Sequence, residues 1–371
     1  MFGYNDLMEP FKNKINIDTA RQISQNIKRH YPEFNDTLFH KNINSELTDL
    51  ELKDRIRFLA KKLHLFLPTD FKISAKILKK AVGDHSTLSG FNVWPLTEYI
   101  SNYGEDELDL SLEVLKEMTK VFTSEFAVRA FFIKNPNRTL KIFKHWAQDE
   151  NEHVRRLVSE GSRPLLPWGQ KISEFVNSPK LTIELLELLK NDESLYVRKS
   201  VANHLNDHSK NHPDLVVKTL QSWKKSDPKN KNIEWIIRHA SRTLVKKAHP
   251  KALELHGVSS KKINVLSLKL KKNQIKINES LEISVTIQNK SKAKSLVILD
   301  VDLHLLKANN SHNIKCFKGK KVSLDAEEKI LVILKVPLKK VTTRTYYSGV
   351  QYLSCKINGI STPKKSFKLD C

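Results

Sequence analysis

A sequence pattern that recurs at a fixed offset constrains the fold of this chain more than any other feature. Residues 149–158 read Asp-Glu-Asn-Glu-His-Val-Arg-Arg-Leu-Val, and residues 192–201 read Asp-Glu-Ser-Leu-Tyr-Val-Arg-Lys-Ser-Val, an offset of 43 residues. A weaker copy follows at 235–240, and a further candidate copy lies at 125–129. A period near 40 residues, with Val-Arg opening the second helix of each unit, predicts HEAT-like repeats. Such helix pairs stack into a curved solenoid whose second helices line the concave face.

The apolar pattern divides the chain into a helical part and a strand-rich part. From about residue 15 to residue 247 apolar side chains follow a helical period, interrupted by short polar breaks with Asn, Asp or Pro. After His249–Pro250, short stretches such as 281–287 alternate β-branched and polar residues, as strands do. We therefore predict an all-α HEAT-like solenoid followed by a small all-β immunoglobulin-like sandwich. The predicted boundaries are 1–250 for the solenoid, 251–262 for a linker and 263–371 for the sandwich.

The net charge favours a polyanionic partner. The chain has 64 Lys and Arg residues against 41 Asp and Glu residues, a formal net charge of +23. Residues 251–371 carry 24 of the basic and 9 of the acidic residues, so this third of the chain holds a net charge of +15. DNA, RNA and anionic membrane surfaces are the candidate partners. A Lys-rich genome offers an alternative explanation for part of the excess.

Other composition features narrow the compartment and the chemistry. The three cysteines, Cys316, Cys355 and Cys371, form neither a disulfide framework nor a zinc pattern, which favours a reducing compartment. The first residues lack a signal-peptide pattern, and no apolar run approaches 18 residues. We expect a cytoplasmic, nucleoid-associated monomer without a membrane partner or a cofactor. The chain has no phosphate-cradling Gly loop and no Ser nucleophile elbow, which disfavours nucleotide hydrolysis and acyl transfer.

The segment 154–169 contains the most distinctive loop of the chain. A predicted repeat helix ends at Gly161, and the loop that follows contains Pro164, Pro167 and Trp168. The two prolines restrict the backbone, so we expect them to present the Trp168 side chain rigidly. Arg155, Arg156 and Arg163 flank the loop and carry charge suited to phosphate.

Three carboxylates occupy matching places in successive repeats. Glu125 lies at the start of one second helix, Glu160 near the end of the next, and Asp207 at the end of the one after. If second helices line the concave face, these carboxylates converge there. An acidic cluster on a DNA-facing surface weakens binding, and stabilisation of a cationic transition state is one purpose that would offset this cost. For a single Glu beside arginines, an ordinary salt bridge is the simpler interpretation.

Several of these segments resemble the AlkC family of bacterial DNA alkylation-repair glycosylases, which is related to AlkD. The resemblance is carried by residues 91–96, 124–129 and 159–164, together with Pro167–Trp168. It spans most of residues 1–250, and the C-terminal part resembles the immunoglobulin-like domain of one AlkC subgroup. The resemblance implies hydrolysis of the N-glycosidic bond of cationic alkylated bases in double-stranded DNA, chiefly 3-methyladenine and also 3-methylcytosine, without full base flipping.

The resemblance also implies roles for individual residues. Glu160 would stabilise the sugar cation and help to place the water, and Trp168 would lie against the sugar. Glu125 and Asp207 would complete the acidic pocket. Leu165 departs from the family, whose members often carry Arg there, so one backbone contact is expected to be missing.

The basic residues have two open interpretations. The arginines at the repeated Val-Arg position either cap neighbouring helices and pair with the Asp of a turn, or reach DNA phosphates. Lysine-rich strands either contact phosphates in the minor groove or protect sheet edges against aggregation. The residues predicted to bind DNA are Arg155, Arg156, Arg163, Arg198, Lys199, Arg238, Lys269, Lys271 and Lys272.

Two further alternatives accompany the glycosylase prediction. His204 and His208 have the i, i+4 spacing of metal ligands on a helix, but no third ligand accompanies them, so surface or supporting roles are favoured. The other functional hypothesis is a non-catalytic HEAT-repeat scaffold that binds nucleic acid or an acidic protein. Loss of excision with retained DNA binding on Glu160→Gln separates the two hypotheses.

Overall fold

A computed structural model describes residues 10–258, 263–340 and 345–371 of the protein. The N-terminal residues on which the signal-peptide expectation rests lie outside the described residues, as do residues 259–262 of the predicted linker. The chain forms two units, one extending to His212 and including Asp227–Ala240, the other containing Pro213–Ser226 and Ser241–Cys371.

The described part of the chain contains helices up to residue 255. They are α1 Ile17–Lys28, α2 Asp36–His40, α3 Ile43–Thr48, α4 Leu52–Phe66, α5 Phe71–Ala81, α6 Trp94–Tyr103, α7 Leu108–Thr119, α8 Val128–Lys134, α9 Pro136–Trp146, α10 Glu152–Gly161, α11 Ser173–Asn177, α12 Lys180–Leu189, α13 Leu195–His208, α14 Pro213–Ser226, α15 Lys231–Ala240, α16 Arg242–Lys246 and α17 Pro250–Leu255. Two short 3-10 helices lie at Phe11–Lys14 and Gly90–Val93.

The Asp that recurs in the repeat has a structural role that the sequence pattern alone does not reveal. Asp149 Oδ1 accepts a hydrogen bond from the backbone N–H of Asn151 at 2.9 Å, and Asp192 Oδ1 accepts one from Ser194 at 2.8 Å. Asn151 and Ser194 in turn are the N-caps of α10 and α13. Each repeated Asp therefore stabilises the turn that starts a second helix, in which side-chain oxygens satisfy otherwise unpaired N–H groups.

The helices of the first unit pack in two rows. α10, α13 and α15 lie side by side, and α9 and α12 form the row beside them. Apolar side chains at helical spacing fill the space between, and an aromatic cluster supports the centre of the unit: the Phe132 ring lies 4.6 Å from Phe143 and 5.1 Å from Phe175 between centroids. This arrangement confirms the predicted helical-repeat fold.

The second unit contains two β-sheets. The strands are β1 Ile263–Leu270, β2 Gln274–Lys276, β3 Ser280–Asn289, β4 Ser295–Leu306, β5 His312–Leu324, β6 Lys329–Pro337, β7 Gly349–Ile357, β8 Ile360–Ser361 and β9 Lys365–Asp370. One sheet has the order β1-β3-β6 and the other β2-β9-β7-β4-β5, with β8 paired to β7. All described pairs are antiparallel except β2 with β9.

A shared core joins the two sheets. Alternate residues of β3, such as Ile283 and Val285, are buried, as are Leu299 and Val301 of β4, and all four belong to one apolar cluster. Two sheets packed face to face through alternating apolar residues form a sandwich. The predicted small immunoglobulin-like β-domain is confirmed.

Helices close to the strands extend the second unit beyond the sandwich. Ala248, Leu253 and Val258 are buried together and pack against Leu296 and Ile298 of β4. α14, α16 and α17 therefore belong to the second unit, together with the strands. Residues up to 250 were expected in the solenoid, and most of α17 lies in the predicted linker. Apolar side chains at 248–258 make this segment part of a packed core.

Two further expectations concern the compartment. No helix in the described ranges has the length and apolar character needed to cross a membrane. The three cysteines are free thiols, with Cys355 buried and the other two exposed.

Candidate active site

The last turn of α10 brings Glu160 into the interior of the first unit. Gly161 follows it where α10 approaches α8 closely, since a Cβ atom there would lie 2.6 Å from Val128 Cγ2. A larger residue would push the two helices apart. The glycine of the Glu-Gly pair therefore fixes how closely Glu160 lies to the neighbouring repeat.

Arg163 joins two of the three predicted carboxylates. Its Nη1 donates to Glu160 Oε1 at 2.6 Å, and its Nε donates to Asp207 Oδ2 at 2.9 Å. Ser200 Oγ donates to the other carboxylate oxygen of Glu160 at 2.6 Å. All four side chains are buried, so these charge-assisted hydrogen bonds act in a medium of low dielectric constant.

Arg156 joins the third carboxylate to the same network. Its Nη1 donates to Glu125 Oε2 at 2.6 Å, while its Nη2 lies 3.6 Å from Glu160 Oε1. Thr123 Oγ1 also donates to Glu125 Oε2, at 2.8 Å. The Tyr196 ring covers the guanidinium of Arg156, with Cζ 5.0 Å from the ring centroid. The structure thus brings together Glu125, Glu160 and Asp207, as expected from the repeat positions.

The carboxylates keep both arginines charged. Burial opposes the charge of Arg163, yet Glu160 and Asp207 outweigh it and raise the pKa of Arg163 above its ordinary value. Burial likewise opposes the charge of Arg156, and Glu125 and Glu160 raise its pKa in the same way. Lys210 Nζ lies 3.2 Å from Asp207 Oδ1 and is a third cation, so three carboxylates and three cations balance in this network. A carboxylate held in such a network can still stabilise a cationic group that develops beside it.

Trp168 is held with its indole side chain exposed. Its backbone has φ of 63°, in the left-handed region, and its side chain is 58% exposed. Lys53 Nζ donates to the Trp168 carbonyl, and Phe11 contacts the ring edge with centroids 6.4 Å apart. A bulky residue in this backbone region is an outlier that surrounding contacts must maintain. The indole ring is therefore accessible to solvent.

A cavity of about 280 Å³ adjoins this tryptophan. Trp94 and Phe126, stacked with centroids 4.7 Å apart, contribute to its wall, as does Glu98. Burial raises the pKa of Glu98 above its ordinary value even though Arg57 lies 3.8 Å away. Sequence reasoning gave no signal for Glu98, because a single Glu on a helix is ordinarily a solvated residue.

Comparison with known proteins identifies the family. The model described as "DNA alkylation repair enzyme" matches residues 112–244, and the model described as "Uncharacterised protein YhaZ, C-terminal Ig-like domain" matches residues 264–371. The chain is 36% identical over 354 residues to "Uncharacterized protein YhaZ" of Bacillus subtilis (strain 168), covering 95% of this chain and 97% of the relative. It also resembles the alkylpurine DNA glycosylase AlkC of Pseudomonas fluorescens, solved bound to DNA containing an abasic site analog. That match has 32% identity and a TM-score of 0.81, and covers 98% of this chain and 99% of that chain.

The chain belongs to the AlkC family of DNA alkylation-repair glycosylases.

The remaining predicted DNA-binding residues of this AlkC-family chain fall into two groups. Arg155 forms a bidentate pair with Asp192, at 2.7 Å and 3.1 Å, and Arg198 donates to the carbonyls of Asp192 and Glu193. These two arginines follow the first of the two interpretations given above, in which the Arg of the repeat binds a turn of the protein. Exposed side chains belong to Lys199, Arg238, Lys269, Lys271 and Lys272.

Arg156 and Arg163 belong to neither group in this AlkC-family chain. Their side chains are only 16% and 9% exposed, and both guanidiniums are bound to carboxylates. The structure therefore gives Arg155, Arg156, Arg163 and Arg198 partners within the protein, and their contact with phosphate stays a prediction.

The His204–His208 pair is buried inside the first unit. His204 Nδ1 donates to the Ser159 carbonyl at 2.9 Å, and His208 Nε2 is hydrogen-bonded to Thr182 Oγ1 at 2.8 Å. Burial holds the pKa of His204 well below its ordinary value and lowers that of His208 to about 4. Within the described ranges, no group of three or more His, Cys, Asp or Glu side chains is arranged so that it could hold a metal ion. The two histidines are buried neutral groups rather than surface residues.

Proposed function

We propose that this protein hydrolyses the N-glycosidic bond of cationic alkylated bases in double-stranded DNA, with 3-methyladenine as the principal substrate and 3-methylcytosine as a second one. The observation that carries the proposal is the buried network of Glu125, Glu160 and Asp207 in a chain of the AlkC family. The exposed indole of Trp168 adds an aromatic surface for the sugar.

The chemistry of a cationic lesion matches this set of groups. A base methylated on N3 carries positive charge and leaves as a neutral molecule, so no general acid has to protonate it. The bond to C1′ breaks with its electron pair going to the base, and the sugar becomes an oxocarbenium-like cation. A carboxylate beside the sugar stabilises that cation, and a carboxylate that accepts a proton from water directs the attack on C1′.

Roles for the individual residues follow from this scheme. Glu160 is assigned to stabilisation of the sugar cation and placement of the water, since both of its oxygens are fixed by donors. Trp168 is assigned to the sugar face, where the negative ring face favours positive charge. Glu125 and Asp207 complete the set of carboxylates and hold Arg156 and Arg163 in place. Because the leaving base needs no protonation, these groups have to reach only the sugar, and full base flipping is not required.

Basic residues outside the acidic network are assigned to the DNA backbone. Lys199 and Arg238 are exposed on α13 and α15, and Lys269, Lys271 and Lys272 are exposed at the end of β1 and just beyond it. We assign residues 263–371 a clamping role on the duplex, through sequence-independent phosphate contacts. The protein is assigned to act as a monomer on chromosomal DNA.

A matched pair of variants separates a glycosylase from a scaffold. Glu160→Gln removes the central negative charge at nearly constant volume, and Glu152→Gln makes the same change on the same helix, at an exposed residue bound to Ser194. The proposal expects excision to be lost only in Glu160→Gln, with DNA affinity equal to or higher than that of the wild-type protein. Equal excision by both variants would contradict the assigned role of Glu160, and DNA binding without excision by the wild-type protein would favour a scaffold.

A further inference from the structure

The loop that connects α10 to α11 carries two residues of the site. Arg163 lies near its start and Trp168 near its end, and between them Pro164 and Pro167 contribute no N–H groups for hydrogen bonding. A loop of this kind, between two helices, has few internal hydrogen bonds to hold it. Its geometry must therefore come from contacts with other elements.

Arg129 of α8 supplies such contacts at both ends of the loop. Its Nη1 donates to the carbonyls of Gly161 and Arg163, at 2.9 Å and 2.8 Å, and its Nε donates to the carbonyl of Gln170 at 2.6 Å. The Arg129 side chain is almost wholly buried, with 1% of the residue exposed. One planar guanidinium thus joins the C-terminus of α10 to the chain that follows Trp168.

The repeat places an arginine at this position for a different purpose elsewhere. Arg155 and Arg198, at the corresponding Val-Arg positions, donate to carbonyls of the turn before their own helix. Arg155 also extends to the next repeat, where it binds the carboxylate of Asp192. The three hydrogen bonds of Arg129 go instead to backbone carbonyls at the two ends of the loop that carries Trp168. This contact therefore serves the loop.

Gly169 allows the guanidinium to approach the loop. A Cβ atom on Gly169 would lie 3.2 Å from Arg129 Nε and 2.9 Å from Leu166 Cδ2, tighter than ordinary side-chain contacts. Burial lowers the pKa of Arg129 to about 10, so its charge is retained at neutral pH and strengthens the three hydrogen bonds. The carbonyls of Gly161 and Arg163 lie at the end of α10, where helix carbonyls lack partners within the helix.

We infer that Arg129 is a positioning residue for the glycosylase reaction, which fixes the Trp168 loop by binding its two ends. The inference rests on the proposed function. Arg129 does not touch the DNA sugar in this scheme, and it acts through the placement of Trp168 and of the Arg163 backbone. A lysine at this position keeps the charge, but its single ammonium cannot span three carbonyls as a planar fork does.

The test compares Arg129→Lys with Phe132→Leu, a control on the same helix. Phe132 is fully buried against Phe143 and Phe175, so its truncation destabilises α8 without removing a hydrogen bond to residues 161–170. Three quantities are measured on the full-length protein: the single-turnover rate of base excision, the affinity for undamaged duplex DNA, and amide hydrogen exchange in peptides covering 161–171.

We expect Arg129→Lys to change the excision rate and the hydrogen exchange of the loop, but not the affinity for undamaged DNA. Arg129→Lys lowers the excision rate by at least about tenfold, as expected for small misplacements of a catalytic group. It leaves affinity for undamaged DNA within about twofold and raises hydrogen exchange at 161–171. Phe132→Leu lowers the melting temperature without changing the exchange of that peptide or slowing excision by more than about twofold.

Two results would overturn the inference. One is a wild-type exchange pattern at 161–171 in Arg129→Lys, and the other is an equal loss of excision in Arg129→Lys and Phe132→Leu. If Arg129→Lys does not fold, Gly169→Ala tests the same contact from the loop side and is expected to give the same two changes. If the wild-type protein excises nothing, the proposed function fails, and the exchange of the loop peptide alone decides whether Arg129 orders it.

Discussion

Replacement of Arg163 by methionine tests the acidic network through stability. Arg163 binds Glu160 and Asp207 with one guanidinium, and its side chain is 9% exposed. Arg163→Met keeps most of the volume but leaves both carboxylates without their main partner. Removing one member of a buried ion pair typically costs about 3–5 kcal/mol.

The remaining contacts place the expected cost within that range. Glu160 keeps the hydroxyl of Ser200, and Asp207 keeps Lys210 at 3.2 Å. These donors offset part of the loss, so we expect Arg163→Met to lower the free energy of unfolding by about 3 kcal/mol. A second change tests the coupling between these residues. Asp207→Asn removes a partner of Arg163 from the wild-type protein, whereas in Arg163→Met it removes a charge whose remaining partner is Lys210, so it costs less stability there.

Tryptophan fluorescence during urea unfolding measures these changes in the helical part of the chain. Four of the five tryptophans lie in the first unit and Trp223 lies in α14 of the second unit, so the signal reports mainly on the first unit. The reasoning is refuted if Arg163→Met costs less than about 1 kcal/mol, the value of an ordinary surface pair. It is also refuted if Asp207→Asn costs as much stability in Arg163→Met as in the wild-type protein.

Three further predictions concern pH, packing and salt. The pKa of His208 is about 4 in the folded protein, against an ordinary value of 6.5. The stability that its neutral form provides is therefore complete above pH 6.5 and is lost as the pH falls towards 4, by up to about 3 kcal/mol. Urea titrations from pH 4 to 7.5 should show a shallower pH dependence of stability for His208→Gln, and an unchanged dependence would contradict this. Gly161→Ala forces a Cβ against α8 and should cost about 1–3 kcal/mol in the same urea assay, whereas a neutral effect would show that the helices can separate without strain. Replacing Lys269, Lys271 and Lys272 by Gln should reduce the slope of log affinity for duplex DNA against log salt by up to about 3, and an unchanged slope would remove these lysines from the DNA contact.

The repeat pattern predicted most of the helical fold because its residues have local roles. Asp149 and Asp192 form turns with the next two residues, and the buried valines follow the helical period, so both signals are visible in a short window of sequence. The helix at Pro250–Leu255 was missed, since its packing against β4 depends on residues more than 40 positions away. Local composition indicates a linker there, and only the tertiary contacts show a core.

The acidic site was predictable in position but not in its connections. Glu125 and Asp207 are 82 residues apart, and the expectation that they converge came from the rule that second helices share a face. The sequence does not show which partner a long side chain such as that of arginine binds. From the same repeat position, Arg155 binds carbonyls of its own turn and the carboxylate of Asp192, whereas Arg129 binds carbonyls at both ends of the next loop. Ser200 gave no signal either, as a serine in a helix has many ordinary roles.

The most direct test of the account is the release of free base by the wild-type protein. Duplex DNA treated with a methylating agent is incubated with the protein under single-turnover conditions, and the released bases are separated and identified by mass. We predict free 3-methyladenine, with one abasic site left in the strand for each base released. Intact lesions in DNA that the protein binds would contradict it.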